Sequence, residues 1–444
     1  MSPIEYIAQS LSEWPQYVAL VALFLGLHWW MIKRWAVGLY DPLFMLLISN
    51  VFSWAIVWFM YLRGDIAEVY VVSFTTAQLA LYAGIGASRL TRPRAEPEQS
   101  PDVDSAVPKL TLAMAAAVHI ASTLTIWSIA GIPLFRDSRL GAFEGSGGLG
   151  ILERLAESSA LISIFSVVFL LIQRPKLRWN FLVHAFLLWY IASTAMSGSK
   201  GALLGVGQYV LSILFVYTKL RHRADRFWGG RAGKLGMIAA GIFAVGVLAV
   251  QQDSDLTTTL SAFVYRVVSY GDVFIFAYPE ATVESIKGDN SLIGLFGGFL
   301  STFRLFPQEL VYSNIGYQFT GIIFPDLDLI VGPNPQHPIF GYHYFGSFAF
   351  VFSFALGLVT AGAQARLYFR SHSTFLSGLV AFMLYFTLVS VSIDFEYSLS
   401  KLANMIIGLV VVVGPVLVIR PRVMLVRQSR RSPEPAPPQS WGNR

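Results

Sequence analysis

LANMIIGLVVVVGPVLVI, residues 402–419, runs for eighteen positions without a charge. As a helix it would rise about 27 Å, close to the roughly 30 Å hydrocarbon core of a bilayer, and a water-soluble fold rarely needs such a stretch. Working outward, comparable apolar runs bounded by charge or by Gly/Pro fall near 15–32, 39–61, 66–88, 110–130, 151–172, 181–195, 202–218, 235–251, 341–363 and 374–393. The pattern predicts an all-α polytopic membrane protein with about eleven transmembrane helices, forming a single integral membrane domain over 1–444.

Composition agrees with this reading. Of 444 residues 55% are hydrophobic and 13% charged, against about a quarter charged in soluble domains. No stretch is left for a separate soluble catalytic domain, so any chemistry belongs among the helices and their connections. The absence of cysteine excludes disulfides, thiolate metal sites and iron–sulfur clusters. The first 32 residues carry no Lys or Arg and no small-residue cleavage site follows the first apolar run, so that run is expected to be a retained helix.

The basic residues set the expected orientation. They gather in alternate connections: Lys33 and Arg34; Arg89, Arg92, Arg94 and Lys109; Arg174, Lys176 and Arg178; six residues between Lys219 and Lys234; Arg366 and Arg370; and the tail from Arg420. By the positive-inside bias these connections are cytoplasmic, which places the N-terminus outside and the C-terminus inside. The isoelectric point near 9.4 then reflects topology, and nucleic acid is not expected as a partner. Two cytoplasmic segments, 91–108 and 429–444, have the Pro-rich, polar composition of disorder.

The anomaly lies on the external side, where 252–340 makes a connection of about ninety residues, far beyond usual lengths. Its segments 262–278 and 290–306 read as amphipathic or interfacial helices separated by the polar turn PEATVESIKGD (279–289). The loop is expected to lie on the outer membrane surface and to dip into it.

Several residues there could carry chemistry. Lys200 in SGSKG (197–201) stands at a small-residue break where a following helix N-terminus would add backbone donors for an anion; a lysine snorkelling from a tight turn is the plainer alternative. Arg266 and Arg304 offer planar donor forks suited to two phosphates, or to lipid head groups, and Asp272 follows six residues after Arg266. In GPNPQHPIFGYHYFG (332–346), His337 is the first choice for a base acting on a hydroxyl and Asp272 the second, with Tyr342 and His343 beside it. DFEYSLSK (394–401) brings Asp394, Glu396 and Lys401 to the outer face, as a structural ion pair or as the lining of a polar cleft. No HxxxH or HExxH spacing supports a metal site. His28, His119 and His184 are lone histidines within spans, and EGSGGLG (144–150) reads as a flexible loop.

SGSKGALLGVGQYVL, YRVVSYGDVF, FRLFP and PQHPIFGYHYFGSFAFVF together resemble the Wzy-type oligosaccharide repeat-unit polymerases and, more distantly, the WaaL-type O-antigen ligases. Lys200 stands where the family usually has Arg, and Pro338 where ligases and many polymerases have Asn after the His. The resemblance implies a GT-C-like, metal-independent membrane glycosyltransferase of the bacterial inner membrane, without a cofactor. Its substrates would be undecaprenyl-diphosphate-linked oligosaccharides, joined at the periplasmic face, and a chain-length regulator and a flippase would be its partners beside membrane lipids. It implies that Lys200, Arg266 and Arg304 bind the diphosphate. A ligase, or a flippase or other transporter of lipid-linked oligosaccharide, remains the alternative reading.

Overall fold

The computed structural model describes residues 14–36, 41–89, 106–135, 149–173, 181–197, 206, 209–210, 212–213, 216, 271–288, 290–326, 332–369 and 374–419. It is a helical membrane protein, with no strand among the described residues. Six helices come first: α1 (Trp14–Trp35), α2 (Pro42–Leu62), α3 (Glu68–Arg89), α4 (Ala106–Ala130), α5 (Leu149–Gln173) and α6 (Phe181–Met196). Short helices follow, α7 (Val273–Ala277), α8 (Ser291–Thr302) and α9 (Ile315–Ile323); α10 (His337–Phe345) leads into α11 (Ala349–Phe369), and α12 (Phe375–Ser390) and α13 (Phe395–Gly408) end the described chain. The helix of α13 runs on to residue 419 through a π-helical turn at Leu409–Val413.

Seven of these segments are long and apolar enough to cross a bilayer: 15–35, 42–62, 68–88, 106–135, 149–171, 337–367 and 395–419. The expected spans near 181–195 and 374–393 are apolar helices of shorter length. The expected span at 235–251 lies outside the described residues, as does most of 202–218. The run expected at 341–363 is two helices, because Gly346 takes φ +51° between α10 and α11, a conformation open to glycine and costly for most other residues.

Local sequence explains where the helices begin. Asp41 caps α2 by accepting from the Leu43 N–H, with Pro42 at the first helical position where a missing N–H costs nothing. Thr374 and Ser377 form a reciprocal capping box on α12. Asn290 and Asn314 cap α8 and α9.

In a bilayer, lipid tails are as apolar as leucine, so close packing and interhelical hydrogen bonds hold the bundle. Gly84 of α3 faces Gly357 of α11: a Cβ on either would come within 2.2 Å of the other helix's backbone carbonyl oxygen. The two backbones touch only because both positions lack a side chain. Gly408 likewise lets α13 lie against Ser158 of α5. Buried Asp41 accepts from the Tyr385 hydroxyl at 2.5 Å and from the Gln364 amide, tying α2 to α11 and α12. Two apolar clusters result, one joining α1–α3 with α7, α10 and α11, the other joining α4–α6 with α12 and α13.

The described residues of 271–336 gather at one end of this bundle. They touch α3 at Tyr70, α5 at Arg154 and α13 at Glu396, all within the first two turns of those helices. They also reach inward, since Gln336 accepts from Ser53 and Gly271 (φ +107°) packs on the Ser53 backbone. Ser53 stands nine residues before the end of α2, about 14 Å along the axis.

Candidate functional site

Three polar groups lie beneath or within this gathered segment. The first is aromatic. Tyr70 stacks on Tyr278 with centroids 5.0 Å apart, and Tyr342 meets Tyr70 edge-on at 5.6 Å. Both Tyr70 and Tyr342 donate to Glu284 Oε1, at 2.9 and 3.3 Å. The strained turn Glu280–Ala281, with φ of 54° and 56°, carries the chain from α7 to Glu284. Burial pushes the Tyr278 hydroxyl well above its ordinary pKa, with Tyr342 and Tyr70 adding to the rise.

The second group centres on His337, the first residue of α10, which is 1% exposed. Its backbone N–H donates to Ser392 O at 3.0 Å, and its Nδ1 lies 2.8 Å from Ser353 Oγ on α11. Nε2 has no partner among the described residues. If Nδ1–H donates to Ser353, Nε2 carries the free lone pair that a general base needs. Ser53 and Gln336 continue the same polar seam toward α2.

The third is ionic and lies inside the bundle. Lys401 Nζ is 4.0 Å from Glu157 Oε1 and 4.3 Å above the Tyr397 ring. Asn404 donates to Glu157 Oε2 at 2.7 Å and accepts from Arg154 at 2.9 Å; Arg154 also donates to Thr302 Oγ1 at 3.0 Å. Thr302 ends α8, so this network stands two residues from Arg304.

No protein-family model, curated protein or solved structure matches the chain.

The expected site residues divide as follows. Lys200 and Arg266 lie outside the described residues. Asp272 is partly buried and immediately precedes α7, without a side-chain capping bond. Arg304 is exposed just past α8 at φ +56°, where its N–H donates to Ser301 O. Tyr342 belongs to the aromatic group and Lys401 to the ionic one. His343 is partly buried against Tyr344, ring centroids 4.6 Å apart. Glu396 Oε2 accepts from Asn314 at 2.7 Å, so its bond is to the gathered segment and not to Lys401. Lys401 pairs instead with Glu157, one helix away.

Glu157, Asn404, Glu284 and Tyr70 were not singled out from sequence. A signal existed for Glu157: in LGILERLAESSALISIF, charges at 153, 154 and 157 enter an otherwise apolar span, and ionisable groups inside spans are functional candidates by default. Asn404 gave a weaker one, as the one side-chain amide in the apolar run 402–419, where such groups bond across helices; Tyr70 gave none. Among the described residues no group of three or more His, Cys, Asp or Glu side chains converges as a metal site would require.

Proposed function

We propose that the protein is a membrane-embedded glycosyltransferase that polymerises undecaprenyl-diphosphate-linked oligosaccharide repeats at the periplasmic face of the bacterial inner membrane. The observation that carries this reading is convergence. The long connection, with Arg304, and the Gly/Pro-rich segment, with His337, gather at the same bundle end as a partly buried ionic network containing Arg154 and Lys401. Transfer of a glycosyl group from a lipid diphosphate needs cations where charge grows on the leaving group and a base at the acceptor hydroxyl. Arg304, with Lys200 and Arg266, would supply the first. His337, or Asp272, would supply the second. The glycan would lie against partly buried Tyr342, with exposed Glu284 accepting from its hydroxyls.

A second reading rests on a specific feature. Arg154, Glu157 and Lys401 belong to spanning segments, and ionisable groups set inside a bundle also mark the substrate pathways of transporters, which would make the protein a transporter of lipid-linked oligosaccharide. One experiment separates the two. Purified protein in proteoliposomes is given lipid-linked repeats in EDTA. The polymerase reading expects a ladder of longer products without added metal. Translocation of unextended repeats would favour the transporter, and loss of activity restored by Mg²⁺ would remove the side-chain-cation mechanism.

A further inference from the structure

Between α10 and α11 the chain turns at Gly346, φ +51°, and two contacts set the register of the helices on either side. A Cβ on Gly341 would stand 3.1 Å from both the Ala349 Cα and its carbonyl oxygen. His337 Nδ1 lies 2.8 Å from Ser353 Oγ. One turn back along α10 from Gly341 is thus matched by one turn forward along α11 from Ala349. This antiparallel register brings together two side chains sixteen positions apart.

The backbone of His337 has little freedom left. Its N–H donates to Ser392 O at 3.0 Å, Gln336 before it accepts from Ser53 at 2.9 Å, and Pro338 after it has a locked φ. Ser353 is fully buried between Phe352 and Phe354 in an apolar stretch of α11. A serine in a membrane helix ordinarily bonds a carbonyl of its own helix; among the described residues the bond of Ser353 is to the imidazole instead. Nε2 on the other side of the ring has no partner among those residues. A proton there would be a buried N–H without an acceptor, which folded proteins rarely keep. On Nδ1 the proton has Ser353 Oγ, whose own hydrogen turns about the Cβ–Oγ bond to suit.

We propose that Ser353 is the positioning residue of His337: it accepts from Nδ1–H and so holds the imidazole in the orientation and tautomer whose Nε2 is an open acceptor. The tautomer stands on this geometry alone. Only the use of Nε2 as a base rests on the glycosyl-transfer reading above.

The test uses the full-length protein in detergent with isotopically labelled histidine, whose ring-nitrogen chemical shifts report the tautomer directly. The His337 signals are those missing in His337→Ala. The wild type is expected to show a protonated Nδ1 and a bare Nε2. Ser353→Ala should lose that single state, the proton moving to Nε2 or dividing between the two nitrogens, and Ser353→Thr, which keeps the hydroxyl, should restore it. A role in packing alone would leave the tautomer of Ser353→Ala unchanged. That result, or a proton on Nε2 in the wild type, would overturn the proposal. In the polymerisation assay Ser353→Ala should lower turnover by about 10- to 100-fold with donor binding unchanged, because the base remains and only its orientation is freed. A wild type that shows the expected tautomer but does not polymerise would remove the glycosyl-transfer reading and leave the positioning by Ser353 in place.

Discussion

His337 shows how burial changes the role a residue can play. Its imidazole is enclosed, bonded at Nδ1 to Ser353 and without a partner at Nε2 among the described residues, so Nε2 is the atom left for a substrate hydroxyl. If it is the base, His337→Ala should lower turnover by about 10²- to 10⁴-fold while the lipid-linked donor still binds. His343→Ala is the matched control six positions on and should retain near wild-type turnover. Wild-type turnover in His337→Ala would pass the role to Asp272. Asp394 makes a second, thermodynamic prediction. It caps α13 by accepting from the Tyr397 N–H at 2.9 Å, and burial lifts its pKa from 3.8 to about 7, against the pull of that N–H and of Lys401. The folded state thus holds a proton that the unfolded chain has released. Stability from this group is highest below pH 4 and falls as pH rises toward 7. Asp394→Asn keeps a capping oxygen without the ionisation, so its melting temperature should depend less on pH between 4 and 7 and should match or exceed the wild type above 7. Asp394→Ala should lose about 1 kcal/mol with the cap.

At the scale of elements, the crossing of α3 and α11 is the contact most sensitive to one added carbon. Gly84→Ala would place a methyl 2.2 Å from Phe354 O, and the helices would have to separate. A loss of about 1–3 kcal/mol is expected, seen as a lowered melting temperature in detergent. Gly26→Ala is the control on α1, where a Cβ meets nothing within 4 Å, and it should be neutral or slightly stabilising. A melting temperature unchanged in Gly84→Ala would mean that the helices do not cross at that point. Sequence could not single out this pair: the chain has 37 glycines, and only the crossing distinguishes Gly84 from Gly26. The caps at Asp41 and Thr374 were not read from sequence, although Asp-Pro at 41–42 is a local signal of a helix start.

For the whole molecule, the test is topological. Single cysteines at 287 and 225 should label oppositely with an impermeant thiol reagent in spheroplasts, 287 outside and 225 inside; labelling at 225 alone would invert the expected orientation and the proposed face of reaction. Helical character and most span positions followed from sequence, because about 20 consecutive apolar residues have one low-energy arrangement in a bilayer, with every backbone hydrogen bond made inside the helix. The extent of α6 also followed, 181–195 expected against Phe181–Met196, but the break at Gly346 and the end of α12 at Ser390 did not, since hydropathy is an average that a single positive-φ glycine or a few terminal residues leave almost unchanged. The notable residue types at the site were visible in advance, as with His337, Tyr342, Glu396 and Lys401. Their partners were not. Lys401 pairs with Glu157 across 244 positions of chain, Glu396 takes Asn314, and His337 meets Ser353 on the next helix. Hydropathy is a property of each segment and is written locally, whereas hydrogen bonds and ion pairs between helices depend on which faces meet. That was decided by contacts such as Gly84 on Gly357 and Gly408 on Ser158, where missing side chains let particular backbones approach.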